Sequence, residues 1–204
     1  MLPSPLPPYV SSVWNPPGDS NCGFHCVRQV IHNSTGNDRY QGLAGAYQVR
    51  LDLLEELEKH QEWYEKTTTD AYNQLVKTLE LSGPHDIPRN SRQWLNSWKH
   101  GHMLANAYGR PVIFLSKSHR DGNFTILPDF HPFRDVVPLV LAHVNDCHWM
   151  LVRFPSSAPY SPYPPMMMSR YFQDQTEGHD HSEGWIEGLK MHFNCGKMVF
   201  SEML

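Results

Sequence analysis

Residues 16–26 read Pro-Pro-Gly-Asp-Ser-Asn-Cys-Gly-Phe-His-Cys, and no other stretch restricts the fold as tightly. Two prolines and a glycine exclude a regular helix or strand and impose a rigid turn. Directly behind it, Phe24, Cys26, Val27, Val30 and Ile31 recur at helical spacing, which predicts a helix over 22–32. Cys22 therefore lies at a loop-to-helix junction. The positive end of the helix dipole favours thiolate there, and Gly18 and Gly23 leave the backbone open to a substrate. A free cysteine is more often a small buried hydrophobe; that reading suits Cys26, one turn further on. For Cys22 the polar approach Asp19-Ser20-Asn21 tips the balance, because such a loop can turn several backbone N–H groups toward a developing oxyanion.

The rest of the chain predicts helices first and a sheet afterwards. Leu43 to Ser82 reads helical, with a break near Thr67-Thr68-Thr69 and an end at Gly83-Pro84. Ser91 is the expected cap of a further helix carrying Trp94, Leu95, Trp98, Leu104 and Ala105, closed by Gly109-Arg110-Pro111. Strands are expected at 112–115, 124–127, 136–141 and 149–154, the first two joined through the Asp121-Gly122 turn signal. The order gives an α+β domain over 15–154, N-terminal helices packed on a small sheet. A proline-rich segment, 1–14, precedes it. A Pro/Met/His-rich linker or arm over 155–183 and a C-terminal extension over 184–204 follow.

The second reactive candidate is His148, at the head of an apolar strand beside Trp149. Thirteen histidines make any single one weak by itself. A cysteine at a helix start plus a distant histidine is nevertheless the outline of a cysteine hydrolase. His143 is the neighbouring competitor. An imidazole also needs a polar partner to fix its tautomer, and Asn15, Asn145 and Asp146 are the options.

Bulk composition bounds the rest. With 204 residues, 40% hydrophobic and 12% aromatic, the chain can build one proper core. A net charge of −4 gives no footprint for nucleic acid. No apolar run is long enough to span a bilayer, and the N-terminus lacks the basic start and apolar core of a signal peptide. A cytoplasmic monomer without cofactor is expected. The four cysteines do not form a disulfide framework. His179, His181, His192 and Cys195 could offer metal ligands, but their loose spacing in a loop-like stretch predicts no metal site.

Asp19-Ser20-Asn21-Cys22 with its apolar helix resembles the nucleophile motif Asp-Gly-x-Cys of the ovarian-tumour (OTU) superfamily of cysteine proteases, a papain-related fold. Trp94 and Trp98, Ala105-x-x-x-Gly-Arg-Pro-Val-Ile, Phe124-x-Ile-Leu-Pro and the histidine strand continue the resemblance over about residues 14–154. The longer phrase Asn15-Pro16-Pro17-Gly18-Asp19 through Cys22-Gly23-x-x-Cys26 is similar to the papain-like protease 2 domain of arteriviruses. The resemblance implies a deubiquitinase acting after the C-terminal Gly-Gly of ubiquitin or a ubiquitin-like modifier. Cys22 is then nucleophile, His148 base, Asn15 orienter, Asp19, Ser20 and Asn21 the oxyanion loop, and Trp149 a wall of the substrate channel. Two departures stand out: Ser20 replaces the usual glycine, and Met150 fills the position that often orients the histidine. They leave room for a degenerate, ubiquitin-binding domain. A viral or mobile-element protease cutting a polyprotein is the other alternative. The acidic run Asp52, Glu55, Glu56 and Glu58 is a solvated helix face, or alternatively a dock for the basic residues of the ubiquitin tail.

Overall fold

The computed structural model describes residues 10–67, 70–116, 123–154 and 184–188. The Asp121-Gly122 turn signal, the 155–183 arm and the four metal-ligand candidates lie outside them.

Five helices precede most of a five-stranded sheet. The helices are α1 (Cys22–Thr35), α2 (Ala44–Lys59), α3 (Gln61–Thr67), α4 (Tyr72–Leu79) and α5 (Ser97–Tyr108). The strands are β1 (Ser12–Trp14), β2 (Val112–Ser116), β3 (Phe124–Ile126), β4 (Leu139–Val144) and β5 (His148–Arg153). Their order across the sheet is β1-β5-β4-β2-β3, with β2 and β4 parallel and the other pairs antiparallel. The architecture is α+β, as the element order predicts.

Alternation along the strands separates two apolar layers. Leu139, Leu141, Trp149 and Leu151 join Phe24, Leu53, Leu57 and Leu104 in the main core beneath the helices, whereas Val140, Ala142 and Val152 gather with Ile113 and Leu115 on the opposite face. Trp185, at 0% exposure, packs with Leu127 and Phe133 and donates its indole N–H to the His131 carbonyl at 2.7 Å.

Several boundaries differ from expectation, each for a local reason. The predicted strand at 136–141 begins only at Leu139, because Pro138 has no N–H to give the ladder. The helix predicted from Ser91 is a short 3₁₀ turn, Ser91–Gln93, capped by the Asn90 side chain. The true helix start is Asn96, whose carboxamide oxygen accepts from the N–H groups of both Trp98 and Lys99. Trp94 and Leu95 thus lie on the connection, not on the helix. β1 carries no alternating apolar run and falls within the proline-rich segment over 1–14, where no strand was expected. Pairing with β5 makes it a strand, in the register Trp14 to Leu151 and Ser12 to Arg153.

Candidate active site

β1 and β5 bring together two residues far apart in the chain. Continuing their register by one residue sets Asn15 opposite Met150, with His148 two positions along β5 on the same face, a diagonal pair. Asn15 Oδ1 lies 2.7 Å from His148 Nε2. A carboxamide oxygen only accepts, so Nε2 carries the proton and donates. In the neutral imidazole Nδ1 is then the nitrogen with a free lone pair.

The competing partners have another role. Asn145 and Asp146 both have φ of 55° and form the turn between β4 and β5, the sign of φ expected of a type I′ hairpin turn. Asn and Asp tolerate that conformation better than most residues. The turn ends one residue before His148 and so presents the imidazole at the sheet rim. His143 lies in β4 and stacks on the Trp149 ring, centroids 4.5 Å apart.

Cys22 is the first residue of α1 and is 7% exposed. Trp149 N–H, next in chain to His148, donates to Cys22 Sγ at 3.4 Å. Sulfur and imidazole are therefore anchored to adjacent residues of one strand. Cys26 is fully buried, with Sγ 3.7 Å from the Trp149 carbonyl, as its core assignment requires.

Placement at a helix start predicts a lowered thiol pKa; burial reverses the sign. Desolvation pushes Cys22 above its usual value and outweighs the backbone N–H groups of Trp149 and Gly23, which act the other way. Desolvation, then the neighbouring His143, pulls His148 below its usual value. Both shifts favour the uncharged forms, thiol for Cys22 and imidazole for His148.

The loop ahead of Cys22 is held at several points. Ser20 has φ of 66°, the left-handed backbone that glycine adopts most easily. The glycine conformation is kept although the glycine is not. Asp19 Oδ1 accepts from Asn21 N–H at 3.0 Å, and Asp19 Oδ2 lies 2.8 Å from His25 Nε2. Arg28 Nε donates to His25 Nδ1 at 3.3 Å, which makes Nε2 the donor to Asp19. Of the expected oxyanion loop, the Asn21 N–H is thus already committed to Asp19. The Cys22 N–H, first in its helix, has no intrahelical acceptor.

Two further expectations shift. A Cβ on Gly23 would stand 2.5 Å from Leu95 Cβ and 3.0 Å from Trp149 Cδ1, so this glycine permits close packing of α1 within the core, while Gly18 has nothing near it. The Trp149 ring is 5% exposed and its N–H is taken by the Leu95 carbonyl at 2.9 Å. What this residue offers Cys22 is its backbone N–H, while its ring packs in the core. In the acidic run, Asp52 accepts from Tyr40, Tyr108 and Gln48, and the buried Glu56 accepts from Tyr64. Neither carboxylate belongs to a free solvated face.

Sequence reasoning missed Arg50, His25 and Arg28 around the nucleophile loop. Arginine at position 50 interrupts the apolar face of α2, a usable signal; nothing local marks His25. Among the described residues no group of three or more His, Cys, Asp or Glu side chains is placed to hold a metal, and no helix is long and apolar enough to cross a membrane.

No family model and no curated protein matches this chain. Among solved structures it is similar to the Hazara virus OTU bound to ubiquitin: 17% identity, TM-score 0.46, covering 72% of this chain and 82% of that one. It is also similar to an OTU deubiquitinase from Wolbachia pipientis wMel: 19% identity, TM-score 0.48, covering 72% and 91%. The ubiquitin-bound form of the Wolbachia enzyme gives 15% identity and TM-score 0.47, over 70% and 95%.

Proposed function

We propose that this protein is a cysteine-dependent hydrolase that cuts the peptide or isopeptide bond after the C-terminal Gly-Gly of ubiquitin or a ubiquitin-like modifier. One observation carries the chemistry. Asn15 holds Nε2 of His148 at 2.7 Å, and the next residue of that strand bonds the Cys22 sulfur through its N–H. Nucleophile, base and orienter are gathered from both ends of the domain. The substrate class rests on the motif resemblance of residues 15–26 and of the histidine strand.

The steps follow from the tautomer. His148 Nδ1 takes the Cys22 proton as Sγ attacks the scissile carbonyl carbon. The carbonyl π electrons move to oxygen, and the Cys22 N–H with the preceding loop receives the oxyanion. When the carbon–nitrogen bond breaks, the imidazolium gives its proton to the leaving amine, and a thioester remains on Cys22. Water, deprotonated by the same imidazole, then hydrolyses that thioester and restores the thiol. Asn15 keeps the ring oriented throughout and stabilises the imidazolium by accepting from Nε2. The two departures from the OTU motif fit an active enzyme: Ser20 keeps the glycine-like backbone, and Asn15 serves where Met150 cannot.

Ubiquitin carrying a C-terminal electrophile tests this reading. It should label Cys22 and leave Cys26, Cys147 and Cys195 unmodified. A fluorogenic ubiquitin amide should be turned over by wild type and not by Cys22→Ala or His148→Ala, while His143→Ala stays active. Labelling at another cysteine, or probe binding without turnover, sinks the proposal; the latter favours the ubiquitin-binding alternative. Cleavage confined to peptides from a larger precursor favours the polyprotein protease.

A further inference from the structure

Arg50 lies in the middle of α2 at 0% exposure. Its guanidinium donates only to neutral oxygens: Nε and Nη2 to Asn21 Oδ1 at 3.1 and 2.8 Å, Nη1 to the carbonyls of Thr78 and Leu79 at 3.1 and 3.4 Å, and Nη2 to the Gln93 carbonyl at 2.8 Å. Its plane covers the Phe24 ring with the central carbon 3.8 Å from the centroid. Burial lowers its pKa to about 9, so it remains a cation at neutral pH.

For stability alone this is a poor arrangement. A buried cation without a directly bonded carboxylate bears a heavy desolvation cost. It sits against the first turn of α1, where the helix dipole already favours negative charge. Asn21 holds the N-cap position of α1, yet its side chain makes no capping bond, because the carboxamide oxygen is turned to Arg50. The helix forgoes the cap that an asparagine at this position ordinarily supplies. Meanwhile Ser20 holds a backbone that L-residues avoid, and such a conformation persists only where its surroundings over-determine it. Asp19 restrains Asn21 through its backbone N–H, and Arg50 restrains it through its side chain.

We propose that Arg50 is a positioning residue for Cys22: by gripping the Asn21 carboxamide it fixes residues 20–22 in the shape that turns the Cys22 backbone N–H toward the developing oxyanion. The inference rests on the hydrolase reading above. It adds that the acyl-transfer geometry of the loop depends on a side chain from α2 that touches neither substrate nor sulfur. It also predicts a dissociation between two reactions of one thiol. Attack on a carbonyl builds an oxyanion and needs the loop; displacement of iodide from iodoacetamide builds none.

The test compares wild type, Asn21→Ala, Asn21→Asp, Arg50→Lys and the Asn21→Ala/Arg50→Lys double variant, each checked for fold by circular dichroism. Three reactions are followed: turnover of a ubiquitin amide, acylation by p-nitrophenyl acetate, and alkylation by iodoacetamide. Asn21→Ala should lower kcat and the acylation rate by about 10–100-fold, less than the roughly 10²–10³-fold of losing an oxyanion donor outright. KM and the alkylation rate should stay within about twofold, since neither depends on oxyanion stabilisation. Asn21→Asp keeps an acceptor for the guanidinium and should recover most of the loss. The double variant should be no worse than the poorer single one, as expected when both changes break one clamp. If Arg50→Lys does not fold, the two Asn21 variants carry the result. Unchanged kcat and acylation in Asn21→Ala overturn the proposal, as does an equal fall in alkylation, which marks general disruption. Should wild type ignore ubiquitin but react with the ester, the substrate reading fails and the clamp is still judged on acylation. Wild type inert to both substrates overturns both.

Discussion

Asn15 decides a tautomer, and the consequence is measurable. Asn15→Ala leaves Nε2 without its acceptor, so the ring turns and the wrong nitrogen can face the sulfur. We expect kcat to fall about 10–1000-fold, part of the roughly 10²–10⁴-fold that general acid–base catalysis contributes. The Kd for ubiquitin should not move, because the carboxamide meets the histidine; a titration of a Cys22→Ala background checks this. The acid limb of kcat/KM should lie below pH 6.5, since burial lowers the His148 pKa and only the neutral ring accepts the thiol proton. A limb at or above pH 6.5 contradicts the stated electrostatics. Ser20→Gly relieves a left-handed φ at the nucleophile loop. It should raise stability by roughly 0.5–1 kcal/mol, read as a higher urea midpoint at unchanged slope, with activity retained.

At the scale of elements, the sequence was legible where one residue type had one possible reason. The prolines and glycine at 16–18 mark the turn, Gly109 marks the end of α5 with its φ of 55°, and the apolar run at 112–115 marks β2. The meeting of Asn15 with His148 was implied by the resemblance of residues 15–26, whereas the residues alone left Asn145 and Asp146 open as partners. β1 was not legible, because a three-residue strand takes its identity from β5. The cap of α5 was misassigned because Ser91 and Asn96 carry the same chemistry, and tertiary packing chose between them. Backbone donors such as Trp149 N–H leave no trace in a sequence. The buried pairs between helices make an independent prediction. Burial raises Glu56 on α2 to about pKa 7 and lowers His100 on α5 to about 3. His100 is wired as a neutral ring: its Nδ1 accepts from Asn96 N–H at 3.0 Å, and its Nε2 donates to Thr78 Oγ1 at 2.7 Å. Stability from His100 is present above pH 6.5 and lost as pH falls toward 3. Stability from Glu56 has the opposite sense, present below pH 4.5 and lost as pH rises through 7. Between pH 7 and 4.5 the two offset one another, each up to about 1.4 kcal/mol per pH unit. Glu56→Gln removes the compensation, so its stability should fall more steeply than wild type from pH 7 to 4.5. Parallel urea midpoints over that range would refute this.

Over the whole molecule, the site depends on closure between the two ends of the domain. β1 is an edge strand of three residues, Ser12–Trp14, and it delivers Asn15 to β5. A chain beginning at Asn15 should keep its core, which contains no β1 residue among its fully buried side chains. It should nevertheless lose kcat about as far as Asn15→Ala does. Retained far-ultraviolet dichroism with collapsed turnover is the expected pair of readings; full turnover would remove β1 from the account of the site.

The Trp149–Cys22 contact spans 127 residues of chain. At a ribosome's pace of roughly 5–20 residues per second, the sulfur is synthesised about 6–25 s before the strand that carries its base. Through that interval the cysteine is without His148. On the hydrolase reading proposed above, turnover cannot begin until translation has passed His148, so chain order itself sets when the protein becomes active.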